Sequence, residues 1–399
     1  MSPTRVRMVA RDPHEANRAS TPLEMFFDLT FVVAVAAAST AFEQGLRDGD
    51  AHRVLVTFPL LFFGIWWAWM NFTWFASAYD VDDLLYRLAV LVQMTGVLIF
   101  AAGIPRAMSH WDFGLTVLGY VVMRLAMVAL WIRAAVSDAP GRRTAIRYAV
   151  GIAVVQVGWS VSLEVPVSAR APLFIALGIA ELVVPIYAET AGRTSWHPRH
   201  IAERLGLFTN IVLGEALLAA SLGLRTALTQ RASLHELLPV VIGGLLSVFS
   251  MWWIYFDLPS EAIAESVHDR FSRSLAGAFG WGYGHYLVFA SVAATGASLS
   301  LAIYQARGSS HLTNLEAGFV ETVPVALYVL SVWFLHRTYK PKGRWRDLAP
   351  PLAVAFIVAS STLPQPELAT GIVMVVLLAS SIIVARRSAQ RATIVTSAV

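Results

Sequence analysis

The chain consists of long apolar stretches separated by short polar loops. A helix needs about 20 mostly apolar residues to cross about 30 Å of hydrocarbon, because each residue advances it by about 1.5 Å. Twelve stretches meet this requirement and predict twelve transmembrane helices. They lie near residues 22–42, 54–76, 84–104, 113–136, 144–164, 171–189, 201–222, 236–258, 279–305, 316–336, 348–363 and 368–385.

The composition also indicates a membrane protein. Of the 399 residues, 57% are hydrophobic and only 14% are charged, whereas soluble domains carry roughly 45–50% apolar and about 25% charged residues. A soluble enzyme, a disordered chain and a coiled coil are therefore excluded. There is no cysteine, so the chain has no disulfide and no thiolate metal site. The loops are too short for a soluble catalytic or nucleotide-binding domain. No cofactor, metal or nucleic-acid partner is predicted.

The distribution of basic residues predicts the orientation. With loops assigned alternately to two sides, 20 Lys and Arg fall on the side of the termini and 7 on the other. Cytoplasmic loops carry the excess of Lys and Arg, so both termini are predicted to be cytoplasmic. The expected location is the cell membrane, with cytoplasmic tails at residues 1–21 and 386–399.

A repeated pattern of residues divides the chain into two halves. Glu24 and Thr30 of the first stretch recur as Glu203 and Thr209 of the seventh, and a Trp-Trp pair in the second recurs in the eighth. Repeats are common in secondary transporters. We predict an all-α polytopic protein with two six-helix repeats, residues 22–190 and 201–385. Because six is even, the repeats share one orientation.

One layer of ionisable residues is predicted near the cytoplasmic side. Such groups cost about 2.5–3.5 kcal/mol at the centre of a membrane helix, so they must face protein or water. Glu24 and Asp28 lie one turn apart on one face. Ser20 or Thr21 reads as a helix N-cap, which offers a purely structural role for Glu24. Arg87 is the expected partner of Asp28 or Glu24. The alternatives are an ion-pair network and a cavity that handles substrate or protons.

A second layer is predicted near the middle of the membrane, at Arg124, Glu181 and Glu215. If the three meet, one acid lacks a cation, and such a buried carboxyl can exchange a proton near neutral pH. The alternative is a static Arg–Glu pair. No catalytic residue is predicted. The candidates for substrate or proton handling are Glu24, Asp28, Trp67, Asn71, Asp80, Asp83, Arg87, Arg124, Glu181, Glu203, Arg204, Asn210, Glu215, Asp257 and His285.

Separated motifs resemble those of the bacterial low temperature requirement A (LtrA) family. They are TPLEMFFDL at 21–29, WWAWMNFTWF at 66–75, DVDDLLYR at 80–87, ERLGLFTNIVLGE at 203–215 and YGH at 283–285. Met25 departs from the leucine usual in the family. The similarity extends over roughly residues 20–385. It implies a multi-spanning membrane protein but no settled activity, so it assigns no catalytic residues.

These observations favour a proton- or ion-coupled secondary transporter of a small solute. Its two halves would rock around the layer of Glu215, Glu181 and Arg124. A membrane-embedded enzyme acting on a lipid or other apolar substrate stays open, with Asp28 and either Glu203 or His285 as acid and base. An ion channel is a further alternative, and the sequence favours a non-enzyme without deciding. The expected partners are membrane lipids and the unidentified solute or apolar substrate, and homo-oligomerisation stays open.

Overall fold

The chain is all-helical, as predicted, in a computed structural model that describes residues 6–12, 15, 18–229, 233–257, 275–307, 310–337 and 344–397. Side chains are described in these ranges except at 275–278, 344 and 387–397. Parts of both predicted tails, and residue 258 at the end of the eighth stretch, lie outside the described residues.

The described residues form twelve α-helices, and each predicted stretch corresponds to one of them. Eleven helices in this part of the chain are long and apolar enough to cross a membrane. The eleventh predicted stretch corresponds to the shortest helix, with 16 residues. The helices are α1 Pro22–Arg47, α2 Ala51–Tyr79, α3 Leu84–His110, α4 Gly114–Ser137, α5 Arg142–Val161, α6 Val167–Glu189, α7 Pro198–Thr229, α8 Leu234–Phe256, α9 Leu275–Gln305, α10 Asn314–His336, α11 Arg344–Ala359 and α12 Pro366–Ser397, with a 3-10 turn, η1, at Ser360–Thr362.

The chain divides into two compact units. Unit 1 comprises Met1–Gly45, Asp50–Val212 and Ile263–Gly280. Unit 2 comprises Leu46–Gly49, Leu213–Ala262 and Trp281–Val399. Helix α7 therefore contributes its first part to unit 1 and its second part to unit 2. The two six-helix repeats stay a prediction.

Close helix packing in unit 1 depends on glycine. A Cβ at Gly96 of α3 would lie only 2.8 Å from the carbonyl oxygen of Gly119 in α4. A Cβ at Gly103 would lie 2.6 Å from the Thr116 nitrogen. Small residues let membrane helices approach to backbone contact, where van der Waals packing holds them without a hydrophobic driving force. The two helices therefore form a tight pair.

The N-terminal segment of unit 1 docks onto helix ends. The Arg11 amide donates to the Ala78 carbonyl at 2.9 Å, and the Val6 amide donates to the Asp83 carboxylate at 2.6 Å. Met8 is fully buried. The described part of this predicted tail is thus ordered by backbone hydrogen bonds and one apolar anchor.

In unit 2, α8 and α12 meet at backbone distance. A Cβ at Gly371 would lie 2.7 Å from the Gly243 carbonyl oxygen. Helix α10 joins them through the Tyr328 hydroxyl, which donates to the Met251 carbonyl at 2.7 Å. Unit 2 therefore contains a packed group made of α8, α10 and α12.

Candidate functional site

An ion-paired cluster in unit 1 is built around Arg204. Arg204 lies in the unit 1 part of α7 and is fully buried. Its Nε and Nη2 donate to the two carboxylate oxygens of Asp28, at 3.0 and 2.5 Å, and Nη1 lies 3.1 Å from Glu24 Oε1. Trp69 Nε1 also donates to Asp28, at 2.6 Å. A planar guanidinium suits this arrangement because its fork matches a carboxylate in two-point contact.

Glu24 also lies in the first turn of α1. The Glu24 amide donates to Thr21 Oγ1 at 3.2 Å and the Thr21 amide donates to Glu24 Oε2 at 2.8 Å. This reciprocal pair is a capping box. It places Thr21 at the N-cap, one of the two positions that the sequence suggested. The other oxygen of Glu24 lies 3.2 Å from Arg18 Nη2 and 3.1 Å from His200 Nε2.

The expected partnership of Arg87 is wrong. Arg87 binds Asp82 at the surface, through two hydrogen bonds of 2.8 Å. Arg87 lies too near the start of α3 to enter the bundle, and Asp82 lies beside it in the preceding loop. The buried carboxylates take Arg204 instead.

Two acids of the 80–83 loop lie in opposite electrostatic environments. Asp80 contacts Arg18 at 3.3 Å, with only 6% of its side chain exposed. Burial and the nearby Glu24 carboxylate raise the pKa of Asp80 to about 6, although Arg18 and Arg11 oppose the shift. Asp83 caps α3 by accepting from the Tyr86 amide at 2.9 Å, and it also binds Arg133.

Burial disfavours the charged form of Asp83, but its hydrogen bonds outweigh this effect. The Arg133 guanidinium and the Tyr86 and Val6 amides lower the pKa of Asp83 to about 2. Asp83 is therefore a permanent anion that fixes the N-terminal segment to α3. Asp80 is the acid of this loop that can change its charge near neutral pH.

The raised pKa of Asp80 predicts a pH-dependent stability. The folded protein keeps this proton up to about pH 6, whereas the unfolded chain releases it near 3.8. Stability should therefore fall as pH rises between these values, by about 3 kcal/mol for a shift of this size. In thermal unfolding of the detergent-solubilised protein, Asp80→Asn should flatten this fall. Asp82→Asn is the control, since Asp82 is exposed, and it should keep the fall. An unchanged profile in Asp80→Asn would contradict the assignment.

A second buried ion pair lies between α4 and α6 of unit 1. Arg124 Nη2 donates to Glu181 Oε2 at 2.7 Å, and both side chains are almost completely buried. Three neutral groups complete the carboxylate: Trp67 Nε1 at 3.0 Å, the Tyr120 hydroxyl at 3.0 Å and Gln156 Nε2 at 2.9 Å. Glu181 is fully compensated in charge and hydrogen bonds. The geometry matches the static-pair alternative for these two residues.

Two tryptophans of α2 donate hydrogen bonds to the buried carboxylates of these clusters. Trp66, Trp67 and Trp69 are all buried. Trp67 donates to Glu181 and Trp69 to Asp28. Asn71 donates to the Trp67 carbonyl at 2.9 Å and so stays within α2.

The remaining candidates of α7 lie apart from one another. Glu203 is half-buried and accepts from the Ser20 amide at 3.2 Å. Asn210 is exposed, while Glu215 is buried and belongs to unit 2. Arg124 and Glu181 thus meet in unit 1, and Glu215 is part of the other unit.

His285 of unit 2 has a defined tautomer. Its Nδ1 lies 2.9 Å from the Trp281 carbonyl, which can only accept, so Nδ1 carries the hydrogen. Nε2 then accepts from the Tyr255 hydroxyl at 3.1 Å. His285 is 2% exposed and acts here as a helix-to-helix connector.

A cavity of about 270 Å³ lies in unit 2 among α8, α10, α11 and α12. Its lining includes ionisable and aromatic side chains: Asp257, His336, Arg337, Trp345, Arg346 and Asp347. It also includes apolar side chains, among them Val329, Val332, Leu377 and Leu378. Asp257 is the candidate residue that reaches it. In the described part of the chain, no group of three His, Asp or Glu is placed to hold a metal ion.

Sequence reasoning missed several partners of the buried carboxylates. Trp69, Tyr120, Gln156 and His200 all contact Asp28, Glu181 or Glu24. Their signal in the sequence was weak, because neutral residues in an apolar helix are common. Only the fold identifies which of them meets an acid.

Comparison with known proteins identifies relatives. The family model described as "Bacterial low temperature requirement A protein (LtrA)" matches residues 19–382. An uncharacterized protein of Rhizobium meliloti (strain 1021) is 24% identical over 313 residues, which cover 76% of this chain and 74% of that protein.

Proposed function

The chain belongs to the bacterial low temperature requirement A (LtrA) family of multi-pass membrane proteins, and we propose that it is a proton-coupled secondary transporter of a small solute. The cavity of unit 2 carries this proposal. Its volume of about 270 Å³ is near the lower end of ligand pockets, which run from about 300 to 1,000 Å³. A cavity lined by apolar and a few charged side chains suits a small polar or amphipathic solute.

The buried ion pairs of unit 1 support a scaffold role for that unit. Both oxygens of Asp28 bind Arg204, and Glu181 is surrounded by four donors. A carboxylate held in this way is poorly suited to act as a general acid or base, which weakens the enzyme alternative. Transport would then depend on unit 2, and unit 1 would provide a rigid support.

The distribution of basic residues supports a cellular location and an orientation. The excess of basic residues on the side of the termini supports a place in the cell membrane with both termini in the cytoplasm. In that orientation the cavity lies at the cytoplasmic ends of α8, α10 and α12. The solute site would therefore face the cytoplasm.

Filling the cavity should abolish transport. Ala349 of α11 lines the cavity and is 8% exposed, so Ala349→Trp would occupy it. Leu352→Trp is the matched control, because Leu352 lies on the same helix and is 50% exposed. The measurement is the pH inside proteoliposomes loaded with a fluorescent pH indicator, after addition of amino acids, sugars, organic acids or polyamines in turn.

We expect a solute-dependent pH change that is lost in Ala349→Trp and kept in Leu352→Trp. A proton or potassium current that needs no solute would instead identify a channel. A pH change that survives in Ala349→Trp would remove the cavity from the pathway.

A further inference from the structure

A pair of glutamates in unit 2 lies outside every site discussed so far. Glu321 is the eighth residue of α10, about 10 Å along the helix from its start, and it is 6% exposed. Glu367 lies in the first turn of α12. Their carboxyl groups lie within hydrogen-bonding reach of each other. A hydrogen bond between them requires a proton on one of the two, because two carboxylates are both acceptors.

No Lys, Arg or His in the described part of the chain forms an ion pair with Glu321. Glu367 of α12 is the charged group that acts on it. Helix α8 brings the Gly243 backbone against Glu367, and η1 brings the Ser361 carbonyl against Gly318, one turn before Glu321. These neighbours are neutral.

One oxygen of Glu321 is unsatisfied. Its Oε2 is buried and has no hydrogen-bond partner, although a buried acceptor without a partner costs about 1–3 kcal/mol. This differs from Glu181, which receives four donors. An acid left in this state within a membrane helix is a candidate functional group.

The helices of the pair also line the cavity. From Glu321, α10 continues to Val329 and His336 at the cavity, and from Glu367, α12 continues to Leu377 and Ser381. Two unprotonated carboxylates in contact would repel each other strongly in a medium of low dielectric constant. Repulsion between Glu321 and Glu367 near the starts of α10 and α12 would change the distance between the parts of these helices that line the cavity.

We propose that Glu321 and Glu367 share one proton and that its release and uptake couple proton movement to the solute cavity. The coupling rests on the transporter function proposed above, whereas the sharing of the proton does not. The chemistry is a simple acid dissociation, in which the carboxyl O–H bond breaks and the proton leaves to water.

Infrared spectroscopy of the purified protein tests the shared proton. At neutral pH we expect a carbonyl stretching band of a protonated, buried carboxylic acid. Glu321→Gln should remove this band. Glu367→Gln should keep the band but shift it, because Glu321 stays in apolar surroundings and loses its carboxyl partner. Glu316→Gln is the control: Glu316 lies on the same helix, where it is exposed and caps the N-terminus. A band unchanged in both variants of the pair would overturn the proposal, provided each variant elutes as a folded protein.

Proton flux in the proteoliposome assay tests the coupling. Glu321→Gln should lose solute-driven proton flux while still binding or exchanging solute across the membrane. An undiminished flux would restrict the pair to a structural role and overturn the coupling. If the natural protein moves protons with no solute offered, the transporter function and the coupling both fail, while the infrared result still decides whether the proton is shared.

Discussion

Arg204→Met should destabilise the folded protein by about 3–5 kcal/mol, because it leaves two buried carboxylates without their shared cation. Arg204 is fully buried and contacts both Glu24 and Asp28. Methionine fills a similar volume, so the loss reflects charge more than packing. Trp69, Arg18 and His200 would remain near the acids, but none of them reproduces the two-point contact with Asp28.

The measurement is the midpoint of thermal unfolding in detergent. Unfolding is monitored as the loss of monodisperse protein with increasing temperature. Arg87→Met is the control, since the Arg87–Asp82 pair is about half exposed and such surface pairs contribute about 0–1 kcal/mol. If the two variants lowered the unfolding midpoint equally, burial of the Arg204 cluster would not be the reason for its contribution to stability.

Arg124→Met should produce a loss of similar size, again about 3–5 kcal/mol. It would leave Glu181 as a buried anion held by Trp67, Tyr120 and Gln156 alone. The double variant Arg124→Met with Glu181→Gln should recover most of the stability. Glutamine is neutral, and its side-chain oxygen still accepts from two of these donors.

The comparison of the single and double variants isolates the electrostatic coupling. Recovery in the double variant means that the charge left behind causes most of the damage in Arg124→Met. A double variant that is less stable than either single variant would assign the damage to lost packing around the site instead.

Local sequence was sufficient to predict the helices and some of their ends. Twenty apolar residues in succession have few alternatives to a spanning helix, since lipid leaves no partner for free backbone groups. Thr21 and Glu24 form their capping box within one turn, so the motif is visible in the sequence. Asp83 caps α3 in the same local way. The LtrA motifs also lie within single helices or loops.

Pairings between distant residues could not be read from the same information. Arg204 lies 176 residues from Asp28, and nothing in either helix distinguishes it from Arg87 as the partner. Glu321 could not be identified as a candidate from the sequence, because a single acid in an apolar helix does not indicate whether it faces a cation, another acid or water. The choice depends on which helix faces are brought together.

The amino-acid order therefore fixes the class of the protein, its family and the position of its helices, because these depend on local apolar length and short motifs. Packing assigns the electrostatic role of each buried acid. Asp28 and Glu181 become neutralised anchors, whereas Glu321 meets a second acid and no cation among the described residues. The physical reason is that the free energy of a buried charge depends on the few ångströms around it, and those neighbours come from other helices.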